Sequence, residues 1–453
     1  MKLNKIYILL VVMTFLACSS DDDAGTTAPS FEFQNELDRL VTLGGSQQDD
    51  AFSVVQTTDG NIAVLGFTQS NDGDVENKLS TDSDYWLVKL DLDLNVLWQK
   101  TFGGSSDDRG QGLITTSDGG FLVTGFSRST DGDVTDNAGF HDFWVLKLSA
   151  TGDIIWKKSI GFSGNDRSYS VIETVDGGYF ITGFLDVSAS NGEGNDDGEA
   201  QRSKNLLAKH GVGEFWGVKL NRFGQTEWRR YFGGSNNDRA YDAIETNDGN
   251  IIMIGNSESE DFDITDPRGS YDFWAVKVSL EGNMVWQKNF GGGSIDIAYS
   301  ITNTNDGNYI IAGDTRSNDG DVTNFKGNTD FWLVKIDDDG NKIWQKTYGG
   351  LDFESARDII GLQNGNYLAC GSSKSQDEDV SGNFGQNDIW SIVIDGNGNL
   401  NDELNIGGTG LDFAQSAVQL RDGTVVVVGS SESADNQITE NKGDKDILII
   451  LLK

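Results

Sequence analysis

Short runs of β-branched and aromatic residues alternate with polar turns along most of the chain. Between residues 240 and 290 the runs are AYDAIET, NIIMIGNSE, DFWAVKV and MVWQKNF, separated by NDG, a long acidic loop and SLEGN. Runs of this length and composition, bounded by Gly, Asn and Asp, are typical of β-strands. Because no segment has the periodicity of a helix longer than one turn, the chain is predicted to be all-β.

The four-strand pattern recurs at a nearly constant spacing, which indicates a repeat protein. Successive copies begin 58 or 59 residues apart, except that the third copy is 14 residues longer. A glycine at the start of each connecting loop marks seven copies, at Gly44, Gly103, Gly161, Gly233, Gly291, Gly349 and Gly407. Short strands at this spacing predict a propeller or a solenoid, in which each unit buries its faces against its neighbours.

The two ends of the repeat region distinguish a propeller from a solenoid. The last copy has predicted strands near 414–420, 424–430 and 446–452, and then the chain ends without a fourth strand. A matching fourth strand, NELDRLVTLGG at residues 35–45, lies one period before LNVLWQKTFGG. The sequence therefore predicts a seven-bladed β-propeller over residues 35–453, closed when the N-terminal strand pairs with the last blade.

The N-terminal segment has the pattern of an export signal. A basic start, MKLNK, precedes the apolar stretch IYILLVVMTFLA, so residues 1–17 are predicted to be a signal peptide. Residues 15–18, FLAC, resemble the lipobox of bacterial lipoproteins, which implies that Cys18 is acylated and becomes the mature N-terminus. The polar, acidic residues that follow predict a flexible tether over residues 18–34, and they resemble the export signal of surface lipoproteins of Bacteroidota. This resemblance implies an outer-membrane protein exposed at the cell surface.

Charge and cysteine content exclude several classes of function. The chain has 71 acidic and 34 Lys and Arg side chains, a formal net charge of −37. Such a surface repels nucleic acid and anionic membranes, so the only membrane contact expected is the lipid anchor. The two cysteines are Cys18 and Cys370, and a lipid on Cys18 leaves no pair for a disulfide.

The tryptophans have two interpretations. They occupy one position of the predicted third strand, at Trp86, Trp144, Trp216, Trp274, Trp332 and Trp390, and one of the fourth, at Trp98, Trp156, Trp228, Trp286 and Trp344. Exposed aromatic rings suit sugar binding. Repetition in almost every copy favours packing between blades instead.

Two loops of each copy are acidic and are expected on the same face of the ring. The loop between the second and third strands carries paired aspartates, and its candidate metal ligands are Asp72, Asp74, Asp131, Asp133, Asp319, Asp321, Asp377 and Asp379. Short acids often accept hydrogen bonds from backbone amides in tight loops. Alternatively, aspartates at alternate positions can direct oxygens at calcium, although the full twelve-residue calcium loop is absent. The sequence implies no required cofactor, and calcium is the candidate cation for these loops.

Two features depart from the repeat on this acidic face. One is an insertion in the third copy, at about residues 186–214. The other is a set of large polar residues at the start of the innermost strands, where they are expected to surround the mouth of the central channel: Arg109, Arg167, Tyr169, Arg239, Tyr241, Tyr299 and Arg357. Channel mouths with such groups are common ligand sites. The arginines could instead pair with neighbouring loop acids.

Catalytic motifs are scarce. The two histidines, His141 and His210, fall in separate loops, which argues against a histidine metal cluster and against a Ser/His/Asp arrangement. With 71 acids, a pair of catalytic carboxylates is neither excluded nor supported by spacing.

One family resemblance is visible in the repeat. Residues 116–161, TSDGGFLVTGFSRSTDGDVTDNAGFHDFWVLKLSATGDIIWKKSIG, resemble the propeller repeats of secreted and lipid-anchored Bacteroidota proteins, which are often labelled bulb-type lectin-like or endoglucanase-like. The lectin motif Gln-x-Asp-x-Asn-x-Val-x-Tyr does not occur, so no lectin residue is assigned. The resemblance and the repeat together favour a non-catalytic binding or scaffold module for a glycan, peptide or partner protein. The alternative is a glycan-processing enzyme of glycoside hydrolase type.

Overall fold

A computed structural model describes residues 33–78, 80–196 and 210–453. These residues form 28 strands in seven four-stranded antiparallel sheets. The innermost strands of successive sheets contact one another around a complete ring, and the last contacts the first. The predicted seven-bladed β-propeller is therefore confirmed. The described residues include no helix that is long and apolar enough to cross a membrane.

Each blade contributes one strand to each of four concentric positions. The first, innermost strands are β2 (Asp49–Gln56), β6 (Asp108–Thr115), β10 (Arg167–Glu173), β14 (Asp238–Glu245), β18 (Asp296–Asn303), β22 (Glu354–Gly361) and β26 (Asp412–Gln419). The second strands are β3 (Ile62–Thr68), β7 (Phe121–Ser127), β11 (Tyr179–Leu185), β15 (Ile251–Ser257), β19 (Tyr309–Thr315), β23 (Tyr367–Ser373) and β27 (Val425–Ser431).

The outer half of each blade follows the same order. The third strands are β4 (Asp84–Leu90), β8 (Asp142–Leu148), β12 (Glu214–Leu220), β16 (Asp272–Val278), β20 (Asp330–Ile336), β24 (Asp388–Ile394) and β28 (Asp446–Leu452). The fourth strands are β5 (Val96–Phe102), β9 (Ile154–Ile160), β13 (Thr226–Phe232), β17 (Met284–Phe290), β21 (Lys342–Tyr348), β25 (Leu400–Ile406) and β1 (Leu37–Leu43).

The N-terminal strand β1 closes the ring. It pairs antiparallel with β28, with Leu40 opposite Ile450 and Leu43 opposite Ile447. Phe33 is buried and the Gln34 amide donates to the Lys453 carbonyl at 2.9 Å, so the packed chain begins two residues before the expected boundary at 35. The signal peptide, Cys18 and the tether up to residue 32 lie outside the described residues.

The third-strand tryptophans pack between blades, as predicted. All six are buried, with at most 1% of their surface exposed. The ring of Trp144 meets that of Tyr85 in the preceding blade at 4.7 Å, and the Tyr85 hydroxyl donates to the Trp144 carbonyl at 2.9 Å. Fourth-strand tryptophans also reach the next blade, since Trp228 Nε1 donates to the Leu280 carbonyl at 2.8 Å. Their repetition therefore reflects packing between neighbouring blades.

Candidate ligand site in the central channel

A β-bulge in every innermost strand determines what faces the central channel. The pairing with the second strand skips one residue in each blade, which leaves that residue outside the ladder. The skipped residues are Phe52, Gln111, Tyr169, Tyr241, Tyr299, Arg357 and Gln415. A glycine of the second strand lies opposite the bulge: a Cβ at Gly66 would lie 1.7 Å from the Asp50 carbonyl oxygen.

The seven skipped residues and those that follow them line a cavity of about 540 Å³. The following residues are Ser53, Gly112, Ser170, Asp242, Ser300, Asp358 and Ser416, all of which are part of the lining. The cavity wall therefore has one layer of large polar and aromatic side chains and one layer of smaller residues, most of them polar, and apolar residues such as Leu113 and Ile301 complete the lining. These lining positions vary between blades, whereas the packing positions repeat.

Three tyrosines and one arginine form a continuous arc along one side of this cavity. The ring centroids of Tyr169 and Tyr241 are 5.1 Å apart, and those of Tyr241 and Tyr299 are 5.2 Å apart. The guanidinium of Arg357 lies 3.9 Å from the centre of the Tyr299 ring, which is cation–π geometry. Burial raises the pKa of Tyr169 to about 12, so its hydroxyl stays protonated and able to donate a hydrogen bond. These four residues occupy the channel position that the sequence predicted.

Two carboxylates in the small layer link neighbouring blades. Asp242 Oδ1 accepts from Ser170 Oγ at 2.7 Å, and its Oδ2 accepts from the Ile301 amide at 3.0 Å. Asp358 repeats this arrangement two blades further on, with Ser300 Oγ at 2.7 Å and the Ala417 amide at 2.8 Å. Burial raises the pKa of Asp242 to about 6, and it also raises the pKa of Asp358.

The other three predicted mouth residues do not belong to the cavity lining. Arg109, Arg167 and Arg239 lie over the rings of phenylalanines in the preceding blade, at 4.5, 4.5 and 4.8 Å from the ring centres of Phe67, Phe126 and Phe184. Arg109 Nε also donates to Asp107 Oδ1 at 2.8 Å, which is the pairing with a loop acid considered above. These arginines therefore join blades by cation–π contacts.

The acidic loops bind the backbone of the loop that leads into their own blade. The first aspartate accepts one amide hydrogen bond: Asp72 from Ser46 at 2.8 Å, Asp131 from Ser105 at 2.7 Å, Asp319 from Gly293 at 2.6 Å and Asp377 from Leu351 at 2.9 Å. The second accepts another: Asp74 from Gly44 at 3.0 Å, Asp133 from Gly103 at 3.5 Å, Asp321 from Gly291 at 3.3 Å and Asp379 from Gly349 at 3.1 Å.

In this geometry the short acids cap backbone amides of a neighbouring loop. Within residues 33–78, 80–196 and 210–453, no group of three or more His, Cys, Asp or Glu side chains converges in a way that could hold a metal ion. Calcium binding by these loops stays a prediction.

The insertion of the third blade is described in part, over residues 186–196 and 210–214. Its Asp196 carboxylate pairs with Arg229 of β13 at 2.7 Å. The copy has Phe162 where the others have a second glycine, and the Phe162 ring lies 6.1 Å from that of Trp216. A Cβ at the matching Gly45 would lie 2.5 Å from the Asp72 carbonyl oxygen. The bulkier side chain thus occurs in the copy where the insertion replaces the acidic loop.

Sequence reasoning missed several residues of the cavity. The two carboxylates Asp242 and Asp358, and the amides Gln111 and Gln415, line it together with the predicted arc. The sequence does contain a signal of the channel-facing residues. In each copy a variable residue lies between two small residues, seven positions before the first residue of the Asp-Gly or Asn-Gly turn. To recognise this signal, one must know that the glycine repeated in every second strand, such as Gly66, lies opposite a bulge in the innermost strand.

No protein-family model matches this chain, and no curated protein is similar to it in sequence. Solved structures of similar shape include a chain of the mitotic checkpoint complex, with TM-score 0.51 and 8% identity over 97% of this chain and 99% of that one. The WD40 domain of Pan2 from Neurospora crassa is also similar, with TM-score 0.50 and 9% identity over 91% of this chain and 95% of that one. At these identities the likeness shows the propeller fold alone.

Proposed function

We propose that this protein is a lipid-anchored, cell-surface β-propeller that acts as a non-catalytic binding module and holds its ligand in the central channel. The observation that carries the proposal is the variation of the channel layer from blade to blade. Packing positions repeat because every blade has the same neighbours, whereas Tyr169, Tyr241, Tyr299 and Arg357 cluster on one side of the cavity. A cavity wall that combines aromatic rings with a few polar groups is typical of a ligand site.

The chemistry of the wall suits an uncharged polar ligand with an apolar face, such as a glycan unit or a peptide segment. The tyrosine rings offer apolar surface, and their hydroxyls and the amides of Gln111 and Gln415 offer hydrogen bonds. The charge of Arg357 faces the nearby carboxylate of Asp314, whose pKa is raised by burial and lowered in part by this arginine. Nucleic acid is disfavoured by the net charge of −37.

An array of glycans and peptides probed with residues 19–453 tests the channel site. Tyr241→Ala and Arg357→Gln are expected to weaken binding of the recognised ligand at least tenfold. Ile343→Ser serves as the matched control, since Ile343 is 49% exposed on the outer strand β21. Unfolding curves for all three variants separate loss of binding from loss of fold. Equal binding by all three folded variants would place the ligand elsewhere.

Glycoside hydrolysis is the second candidate, and one observation favours it. The cavity holds two carboxylates, Asp242 and Asp358, that the other five blades lack at this position. Against it, each carboxylate accepts hydrogen bonds on both oxygens from neighbouring strands, as in the bonds to Ile301 and Ala417. A substrate would therefore have to replace these backbone and serine partners before either carboxyl could transfer a proton to it. Hydrolysis of an array-selected glycan that is lost in Asp242→Asn would favour the enzyme.

The lipid anchor is tested by Cys18→Ala in the full chain. If the cysteine is acylated, the variant should leave the membrane fraction or retain its signal peptide, and it should not incorporate labelled palmitate. The ligand-binding propeller should be unaffected, because the variant changes only the anchor. Unchanged lipid labelling of the variant would refute the anchor.

A further inference from the structure

At three of the seven blade junctions, a basic side chain of one blade reaches the second aspartate of the next blade's acidic loop. Lys442 Nζ donates to Asp74 Oδ2 at 2.5 Å, and Arg268 Nη1 lies 3.0 Å from Asp321 Oδ2. The third pair is Lys326 with Asp379. Each basic residue lies four positions before the acid that starts its third strand, and its backbone amide donates to that acid.

At two other junctions the basic residue and the aspartate are both replaced, so that neither charge is left without the other. Between blades 6 and 7 the basic residue is replaced by Phe384, and the aspartate is replaced by Gln437, whose Oε1 accepts from the Gly407 amide at 3.0 Å. Between blades 2 and 3 the basic position is Ala138, and the third blade has the insertion in place of the acidic loop. Loss of the cation therefore accompanies loss of the acid.

Between blades 3 and 4 the acid, Asp263, is kept and the basic position holds His210. The junction between blades 1 and 2 departs from the pattern, because it keeps the acid without any basic residue type. It keeps the acid, Asp133, but the position of the basic residue is Ser80. No described Lys, Arg or His lies within ion-pair distance of Asp133. The ammonium group of Lys78, two residues before Ser80, donates to the carbonyls of Ser80 and Asp82 at 2.7 and 2.6 Å, and its charge acts on Asp84 and partly offsets the effect of burial on that residue's pKa.

An open pocket of about 400 Å³ lies at this junction, lined by Ser80, Asp84, Thr101, Gly103 and Asp133 among others. Asp84 is only 5% exposed, and within the described residues its Oδ1 has no hydrogen-bond partner. The same oxygen lacks a described partner in Asp272 and Asp446, at junctions that have Arg268 and Lys442, so the feature specific to this junction is Asp133 without its cation.

We propose that this pocket binds the ammonium group of a lysine side chain presented by a protein or peptide. Two other junctions show how a lysine is bound at this position. The ammonium groups of Lys442 and Lys326 lie 3.5 Å from the carbonyl oxygens of Thr42 and Gly349, in addition to pairing with their aspartates. Thr101 and Gly103 are the corresponding residues here and both line the pocket. A hydrogen-bonding cation fits this set better than a metal, because the described acids do not converge in groups of three. The site is separate from the channel and does not depend on the proposed function.

Residues 19–453, carrying a ¹⁵N label, test the site with Nα-acetyl-lysine methylamide as the ligand. Saturable shifts of the Gly103 and Gly104 amide signals are expected, and Nα,Nε-diacetyl-lysine methylamide should cause none. Asp133→Asn should weaken binding about tenfold, since it removes a charge-assisted hydrogen bond. Ser80→Lys should abolish binding by supplying an internal ammonium, and an unchanged amide spectrum elsewhere verifies its fold.

A gain of function provides the sharpest control. Lys442→Ser converts the junction between blades 7 and 1 into a copy of the open one, so the lysine analogue should now also shift the amides of Gly44 and Gly45. Equal shifts by the diacetylated analogue, or no saturable shift in either protein, would overturn the proposal. It would also be overturned if calcium displaced the analogue from Gly103, because that result would assign the pocket to a metal.

Discussion

Glycine is required at two positions of each copy for different physical reasons. The first glycine of the connecting loop lies against two buried acids: a Cβ at Gly103 would lie 2.4 Å from Asp84 Oδ1 and 2.8 Å from Asp108 Oδ2. The second-strand glycine faces the bulge, where a Cβ would meet a backbone carbonyl. A carboxylate can rotate away, but the backbone of a paired strand cannot, so the second position is the less tolerant one.

Gly66→Ala is therefore predicted to destabilise the propeller by about 3 kcal/mol, at the upper end of the cost of overpacking. Its Cβ would lie 1.7 Å from the Asp50 carbonyl oxygen. Gly396→Ala is the matched control, because nothing lies within 4 Å of its Cβ position, and its effect should stay within about 0.5 kcal/mol. Urea unfolding of the two variants measures the difference. Equal midpoints would show that the bulge can move.

The paired-aspartate loops are predicted to be stable without calcium. Asp319 Oδ1 accepts from the Gly293 amide at 2.6 Å, and asparagine at this position keeps an oxygen acceptor. Asp319→Asn and treatment with a chelator should each leave the melting temperature almost unchanged. If the loops hold calcium instead, chelator should lower the melting temperature and calcium should restore it better than magnesium. Calorimetry of the metal-stripped protein distinguishes the two, since only the second gives a heat of calcium binding.

At the scale of the element, the strands and the ring closure could be predicted from the sequence, but only four of the seven bulge residues that line the channel could be. Strand β1 was identifiable because the last copy lacks a fourth strand and residues 35–45 match it. Tyr169, Tyr241, Tyr299 and Arg357 were placed correctly because they start the innermost strands. Arg109, Arg167 and Arg239 lie over phenylalanine rings of the preceding blade. Alternation along a strand does not reveal that the bulge sends the skipped residue, two positions after each arginine, into the channel.

Deleting residues 35–43 should cost far more stability than deleting residues 19–32. The first deletion removes β1, exposes the edge of β28 and uncovers Ile447 and Ile449, which are fully buried. We expect the melting temperature to fall by roughly 10 °C or more and the protein to aggregate. The second deletion removes only residues before the first buried side chain, Phe33, and should change the melting temperature little. Similar melting temperatures for the two proteins would contradict closure by β1.

At the scale of the whole molecule, seven pairs of buried acids encircle the acidic face. Each pair joins the acid that starts a third strand to the acid at the start of the next blade: Asp84/Asp108, Asp142/Asp166, Glu214/Asp238, Asp272/Asp296, Asp330/Glu354, Asp388/Asp412 and Asp446/Asp49. Burial, reinforced by the neighbouring carboxylate, raises the pKa of Asp84, Asp272 and Asp330 to about 7 and that of Asp166 to about 8. The propeller therefore carries protons near neutral pH that the unfolded chain has lost.

This ring of acids predicts that stability falls as pH rises. The pKa of an unfolded aspartate is 3.8, so between about pH 4 and pH 8 the folded state binds more protons than the unfolded state. The free energy of unfolding must then decrease with pH across this window. Below it the trend reverses. Hydrogen bonding and ion pairing with Lys89 lower the pKa of Asp59 to about 2, and hydrogen bonds from Thr246 and then Lys277 outweigh burial and lower that of Asp248 to about 2, so their stabilisation is lost on acidification.

Urea unfolding should therefore show a higher midpoint at pH 5 than at pH 8. The double variant Asp272→Asn/Asp330→Asn tests the cause, because asparagine resembles the protonated carboxyl and can still accept from the amides of Arg268 and Lys326. It should reduce the pH dependence and be relatively more stable than the parent at pH 8. Asp422→Asn, at an exposed turn on the opposite face, is the control and should leave the pH profile unchanged. A midpoint that rises from pH 5 to pH 8 in the parent would show that the buried pairs are ionised in the folded protein.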